Sequence, residues 1–266
     1  MNDLKVIELY KMNNFMAYIG KNDEESLLND FSEYLLNKNR FFNNNHSVLE
    51  HIRKLFDYCT ITLTPNDSLF RARVINLEDN NPKDEKKNKI NIEDNFFGYG
   101  KKDSFVRKIS DVQANRANSI GIPCLYAAKE EITAVSEIRP FIGNEISVAV
   151  IKPIHNLKIF DLYFHPQQNY DDIIKPPRSI FWLDVAIRFS IPYEDSSRNE
   201  YLLTQCISEY IRISGFDGIQ YSSSLHEGGK NIAIFNCKHE DDGGKYEICE
   251  PVCSDTRFIK SVKYEI

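Results

Sequence analysis

The sequence lacks several features that would assign it to a common class. No apolar run approaches the roughly 20 residues that a membrane-spanning helix needs, so we expect no membrane partner. The opening MNDLKVIELYKMNN lacks the basic start, the apolar stretch and the cleavage site that are typical of a secretory signal. Positive charge is scarce, since 33 Lys and Arg face 39 Asp and Glu for a net charge of −6. We therefore expect no direct nucleic-acid partner, although a local basic pocket could still bind an anionic small molecule.

Familiar chemical motifs are missing as well. The chain contains neither a G-x-G-x-x-G or Walker loop nor the G-x-S-x-G elbow that presents a hydrolase serine. Its six cysteines are scattered, and only Cys249 and Cys253 lie close together, with no histidine pair nearby. That spacing predicts no metal site and favours thiols in a reducing cytoplasm.

The patterns that are present predict an α+β protein with a helical N-terminal extension. Apolar residues recur at helical spacing in two segments of residues 1–62, which we interpret as the extension. Residues 63–266 mix strand and helix signals and are predicted to form one domain. Within it, the polar stretch 78–95 is almost free of apolar side chains and predicts a surface loop or insertion.

The second half of the chain gives the clearest local signals. Short apolar or alternating runs predict strands at CLYAA, ISVAVIKP, LKIFDL, GIQYSSS and NIAIFN. KEEITAVSEIR predicts a helix whose apolar stripe is formed by Ile132, Val135 and Ile138. SRNEYLLTQCISEYIRISG predicts the most distinct helix, with a capping box at Ser197 and Glu200 and an end at Gly215.

A few polar side chains could carry chemistry, although each also has an ordinary structural explanation. Arg71 and Arg73 alternate on a predicted strand, so their side chains share one face. Two guanidinium groups on one face could bind an anionic ligand, or they could simply be exposed to solvent. Arg116 lies in a polar loop, and Tyr126 in an apolar strand is typical of a core ring or a ligand-stacking ring. Glu137 points away from the apolar stripe of its helix, toward either solvent or a cleft.

Four segments together resemble a RES domain, a family named for its arginine, glutamate and serine. They are LFRARV, NRANSIGIPCLYAAKEEITAVSEIRP, YLLTQCISEYIRISGFDGIQYSSS and GGKNIAIFN. The resemblance runs from about Leu69 to Asn236. It implies a compact α+β core with a split sheet, similar to that of ADP-ribosyltransferase toxins.

The resemblance also implies an activity. Members of this family are typically bacterial toxins that cleave the nicotinamide–ribose bond of NAD by hydrolysis or phosphorolysis. Transfer of ADP-ribose to a protein is the first alternative. A non-catalytic interaction module is the second, favoured by Asn115 and Ala117, where the family usually has glycine and a bulky residue.

The family's site residues can be placed on this sequence one by one. By resemblance, the catalytic residues are Arg71, Glu137 and Ser223, with Ser222 as the alternative register for the serine. The resemblance implies that NAD is bound by Arg73, Arg116, Asn118 and Tyr126. NAD would be the substrate, with no further cofactor and no metal.

The resemblance implies further partners besides NAD. Inorganic phosphate would serve phosphorolysis, and the usual protein partner is a helix-turn-helix antitoxin. The sequence leaves open whether residues 1–62 dock a partner, cover the cleft or form a homo-oligomer.

Overall fold

The computed structural model describes residues 23–40, 46–75, 90–93, 96–165, 179–191 and 201–260. It is an α+β structure, as predicted. Five α-helices belong to these ranges: α1 (Asp23–Asn37), α2 (Ser47–Leu55), α3 (Glu131–Glu137), α4 (Ile180–Ser190) and α5 (Leu202–Ile213).

Ten strands form one hydrogen-bonded sheet in the order β1-β7-β8-β9-β5-β2-β6-β10-β4-β3. Their bounds are β1 (Thr60–Leu63), β2 (Leu69–Val74), β3 (Ile90–Glu93), β4 (Phe96–Tyr99), β5 (Leu125–Ala128), β6 (Glu145–Pro153), β7 (Leu157–Leu162), β8 (Gly218–Ser222), β9 (Lys230–Ile234) and β10 (Cys249–Phe258).

The sheet is divided at its centre, between β5 and β2. These neighbours share one paired position, Phe70 with Ala128, whereas β2 pairs with β6 at six positions. Five strands lie on each side of this junction. The two half-sheets therefore separate on either side of a single point of contact, and the candidate site lies there.

Both faces of the first half-sheet are covered by apolar side chains. On one face, α1, α2, α4 and α5 pack on β7 and β8 around the fully buried Trp182. The second face packs against residues that include Phe105 and Ile151. Helix α3 lies on β2 and β6 over a smaller cluster, in which Ala134 contacts Ala72. Burial of this kind gives about 25 cal/mol per Å² of apolar surface and holds the elements in place.

The N-terminal helices share the main core rather than forming a separate one. Leu28, Phe31 and Leu35 of α1 have no exposed surface and belong to the same cluster as α4 and α5. The domain boundary at residue 62 stays a prediction. The packing indicates that α1 and α2 stabilise the same fold that carries the site.

Three local predictions differ from the structure or lie outside it. Residues 90–93, expected to be part of a polar loop, form β3 and pair with β4, because INIE carries the two-residue alternation of a strand. Ile132 of the predicted apolar stripe is 60% exposed, and the buried face of α3 is formed by Thr133 and Ala134. The capping box at Ser197 lies outside the described residues.

Most other local predictions are confirmed. Strand β7 has the predicted bounds, and α5 ends at Ile213, two residues before the predicted stop at Gly215, whose φ is 87°. Glycine is favoured there because other residues are strained at positive φ. In the ranges that the structure describes, no helix has the length and apolar character needed to cross a membrane.

Candidate functional site

A cavity of about 560 Å³ opens at the junction of the two half-sheets. Its walls are the neighbouring strands β2 and β5, helix α3 and the loop 112–118, with Tyr221 and Asn231 at its floor. The volume falls within the range of about 300–1,000 Å³ that is usual for ligand pockets. Its charged lining side chains are Arg71, Arg73, Arg107, Arg116 and Glu137. The cavity is therefore strongly positive, with one carboxylate.

Glu137 lies in the last turn of α3 and turns its carboxylate toward β8 and β9. One oxygen, Oε1, accepts hydrogen bonds from Ser223 Oγ at 2.7 Å and from Asn231 Nδ2 at 2.6 Å. Within the described part of the chain, no hydrogen bond reaches Oε2. Two donors on one oxygen fix the carboxylate and leave the second oxygen for a ligand.

The structure distinguishes Ser223 from Ser222. Ser223 is buried, and its hydroxyl donates to Glu137 while accepting from the backbone N–H groups of Leu225 and His226 at 3.1 Å each. Ser222 instead exchanges hydrogen bonds with the backbone of Phe164. Ser223 is therefore the serine beside the carboxylate, in agreement with the preferred register.

Asn231 is a site residue that the sequence reasoning missed. It is buried at the start of β9 and donates to Glu137 from the strand next to β5. The sequence signal was a polar amide at the beginning of the apolar run NIAIF, where a buried side chain needs a partner. Nothing local in the sequence indicated that the partner would be Glu137.

Arg116 joins the cavity to the helical layer. It is buried, its Nη1 donates to the backbone oxygen of Phe189, and its guanidinium lies 5.1 Å from the centre of the Tyr221 ring. Phe189 belongs to the last turn of α4, where carbonyl groups have no partner within the helix and the dipole favours a cation. Arg116 therefore has a structural anchor as well as a place in the cavity wall.

Arg71 is a partly buried cation whose hydrogen-bonding capacity is only partly used. Its Nη1 donates to the backbone oxygen of Tyr126 at 2.7 Å, but its buried Nε has no hydrogen-bond partner among the residues that the structure describes. Burial, and then the positive charges of Arg73 and Arg107, lower the pKa of Arg71 to about 10. The group stays charged at neutral pH, and an anion in the cavity would relieve both the missing partner and the repulsion.

Arg73 and Arg107 add positive charge beside Arg71. Arg73 donates to the backbone oxygen of Asp103, and its guanidinium lies 4.6 Å from the centre of the Tyr99 ring. Arg107, which the sequence reasoning missed, is exposed on the loop that follows β4. Its sequence signal is weak, because a single loop arginine is usually solvated.

Tyr126 and Asn118, which both line the cavity, are hydrogen-bonded to each other. The Tyr126 hydroxyl donates to Asn118 Oδ1 at 2.7 Å and accepts from the N–H of Ala117 at 3.0 Å. Asn118 Nδ2 donates in turn to the backbone oxygens of Gln113 and Ser119. Asn118 thus shapes the loop, and the Tyr126 hydroxyl is occupied, which leaves the tyrosine ring as the part available to a ligand.

The cavity favours binding and electrostatics over covalent attack. Burial raises the pKa of the lining Cys124 to about 12, so this thiol is protonated and a poor nucleophile at neutral pH. Among the described residues, no group of three His, Cys, Asp or Glu side chains could hold a metal ion. The remaining chemistry is a basic wall for an anion and one fixed carboxylate for a developing positive charge.

Comparisons with known proteins agree with the sequence resemblance. The model of the RES domain family matches residues 98–253, which is more than half of the chain. This range includes Arg116, Glu137 and Ser223, whereas Arg71 and Arg73 precede it. No curated protein matches the chain.

One solved structure with a similar arrangement is described as the crystal structure of the M. tuberculosis MbcT-MbcA toxin-antitoxin complex. The match has 10% sequence identity and a TM-score of 0.43, and it covers 79% of this chain and 92% of the other.

Proposed function

This chain belongs to the RES domain family, and from that premise we propose that it is a toxin that cleaves the nicotinamide–ribose bond of NAD. The observation that carries the proposal is the carboxylate of Glu137, held through one oxygen in a cavity whose other charged lining side chains are arginines. NAD has the matching charges, with a negative pyrophosphate and a ribose carbon that becomes positive during cleavage.

The arginines have a binding role in this mechanism. Guanidinium groups bind phosphate oxygens through paired N–H donors, and the buried Nε of Arg71 finds no acceptor in the described part of the chain. With Arg107 and Arg116, it would hold the pyrophosphate and fix the position of the reactive ribose. Such positioning lowers the barrier, because less freedom remains to be lost when the bond breaks.

Glu137 has an electrostatic role. When the bond between the ribose C1′ and the nicotinamide nitrogen breaks, its electron pair leaves with nicotinamide, which becomes neutral. The ribose then carries the positive charge, and the free oxygen of Glu137 would stabilise it or bind a ribose hydroxyl. Water completes hydrolysis by adding to C1′ and losing a proton, whereas inorganic phosphate would give a ribosyl phosphate.

Ser223 and Asn231 support Glu137 in this scheme. Because both donate to Oε1, they hold the carboxylate in one rotamer. Tyr126 would offer its ring to the nicotinamide or the ribose.

The proposal is tested by chromatography of the products after incubation of the purified protein with NAD, with and without inorganic phosphate. We expect free nicotinamide, together with ADP-ribose or its phosphorylated form. Glu137→Gln should reduce the rate by about 10²–10³-fold, since it removes the charge that faces the transition state.

Glu131→Gln provides the matched control. Glu131 lies on the same helix but forms an ion pair with Arg257 at 2.8 Å, away from the cavity lining. The control should retain the wild-type rate. If the wild-type protein leaves NAD intact with and without phosphate, the proposed activity is wrong.

ADP-ribosyl transfer uses the same site but needs a protein acceptor. Labelled NAD incubated with a cell lysate would mark a protein band if transfer occurs. Release of nicotinamide without a labelled band supports cleavage alone. We also propose a helix-turn-helix antitoxin as the protein partner, to be tested by co-purification with the product of an adjacent gene.

A further inference from the structure

Two backbone hydrogen bonds close the loop between β8 and β9, which contacts helix α3. Ser223 N–H donates to the backbone oxygen of Gly229 at 2.9 Å, and Gly229 N–H donates to that of His226 at 3.0 Å. This loop carries the hydroxyl that reaches Glu137. Its position relative to α3 therefore decides whether the serine and the carboxylate meet.

A chain of hydrogen bonds ties this loop to α3. His226 Nδ1 lies 2.7 Å from Thr133 Oγ1, which donates to Glu130 Oε2 at 2.9 Å, and Lys230 N–H donates to the same carboxylate oxygen at 3.1 Å. A threonine hydroxyl has one proton, and here it goes to Glu130. His226 must therefore be the donor in its contact with Thr133, and this places a proton on Nδ1.

The close fit at Gly229 leaves no room for a side chain beside the contact of His226 with Thr133. A Cβ at this position would lie 2.6 Å from Thr133 Oγ1 and 2.7 Å from His226 Nδ1. Both distances are too short for real contacts, so a side chain at position 229 would displace the side chain of Thr133 or His226. The absence of a side chain at Gly229 lets the histidine reach the threonine.

Thr133 and Glu137 are four residues apart on α3 and so lie on one face of the helix. The loop contacts this face twice, through His226 on Thr133 and through Ser223 on Glu137. We propose that His226 is a positioning residue, which clamps the loop to α3 so that the hydroxyl of Ser223 stays on the carboxylate of Glu137. This inference rests on the proposed function for its kinetic consequences, but the clamp itself does not.

The kinetic test compares substitutions of His226. His226→Phe keeps a ring but removes the donor, and we expect kcat for NAD cleavage to fall about tenfold, with KM nearly unchanged. His226→Asn places an amide N–H near the position of Nδ1 and should restore most of the rate. In a Ser223→Ala background, His226→Phe should have no further effect, because the histidine acts through that hydroxyl.

Two kinetic results would overturn the proposal. One is full activity of His226→Phe. The other is an equal loss with and without the Ser223 hydroxyl, which would show a general effect on the fold instead of positioning. Thermal unfolding of each variant identifies protein that has simply lost its structure.

A second measurement needs no activity. Hydrogen exchange at the amides of Leu225 and His226, which donate to Ser223 Oγ, should be faster in Thr133→Val than in the wild type. Ser136→Ala, on the same helix, is the control and should leave both amides unchanged. Unchanged exchange in Thr133→Val would rule out the clamp. If the wild type fails to cleave NAD while exchange in Thr133→Val is faster, the clamp stands and the proposed function is wrong.

Discussion

At the scale of single residues, the carboxylate of Glu137 shows where local sequence reasoning ends. Helical periodicity predicted that this side chain leaves the apolar stripe, but it could not choose between solvent and a cleft. The deciding partners are Ser223 and Asn231, 86 and 94 positions along the chain. Contacts at that separation depend on strand order, which no short pattern encodes. The family resemblance indicated Ser223, whereas only the structure identified Asn231 as a partner of Glu137.

Asn231 gives a prediction about the electrostatics of the carboxylate. Asn231→Ala removes one donor to Glu137, and we expect kcat for NAD cleavage to fall about tenfold. Asn231→Asp has nearly the same shape but sets a second carboxylate against the first, so it should reduce kcat further. Steady-state kinetics of the two variants tests this order. Greater activity in Asn231→Asp than in Asn231→Ala would contradict the assigned role.

Arg71 gives a prediction in which stability and binding change in opposite directions. Its pKa in the folded protein, about 10, lies below the ordinary value of an arginine, so at neutral pH its charge opposes folding. That cost is present below about pH 10 and fades as pH rises toward the ordinary value. Arg71→Met should therefore raise the free energy of unfolding at neutral pH by about 1 kcal/mol.

The same substitution should weaken binding of ADP-ribose by about tenfold or more, because a charged donor to phosphate is lost. Denaturant unfolding and titration calorimetry measure the two effects. Lower stability combined with unchanged ADP-ribose affinity would show that Arg71 is a structural cation and not a ligand-binding one.

At the scale of helices and strands, local patterns predicted most elements correctly. The runs LYAA and LKIFDL form β5 and β7 because short apolar segments bounded by polar residues are typical of buried strands. Helix α3 shows the limit of the method. Its exposed Ile132 departs from the expected stripe, whereas Val135 and Ile138 do pack against the cluster that holds Ala134. The polar Thr133 is buried instead of Ile132.

The N-terminal helices provide a prediction at this scale. Phe31 of α1 has no exposed surface and stacks on His46, with ring centres 4.2 Å apart, in the core shared with α4 and α5. Phe31→Ala should reduce the free energy of unfolding by about 3–5 kcal/mol. Denaturation followed by circular dichroism should show one transition at a lower denaturant concentration. A separate early transition, with the main one unmoved, would instead identify α1 as part of an independent extension.

At the scale of the whole molecule, the candidate site depends on the division of the sheet. A protein with a net charge of −6 gathers four arginines around one cavity, at the point where β2 and β5 share a single paired position. Composition left room for a local basic pocket, and the cavity has that charge. The location of that pocket could not be predicted from spacing, because its walls come from segments that are distant in sequence. The order of the family's motifs supplied the missing information.

The most direct measurement of the central claim is a crystal structure of Glu137→Gln with NAD, since the slow variant should retain uncleaved substrate. We predict that the pyrophosphate contacts Arg71 and Arg116 and that C1′ of the nicotinamide ribose lies beside the side chain at position 137. NAD bound with that ribose away from residue 137, or bound outside the cavity, would contradict the account.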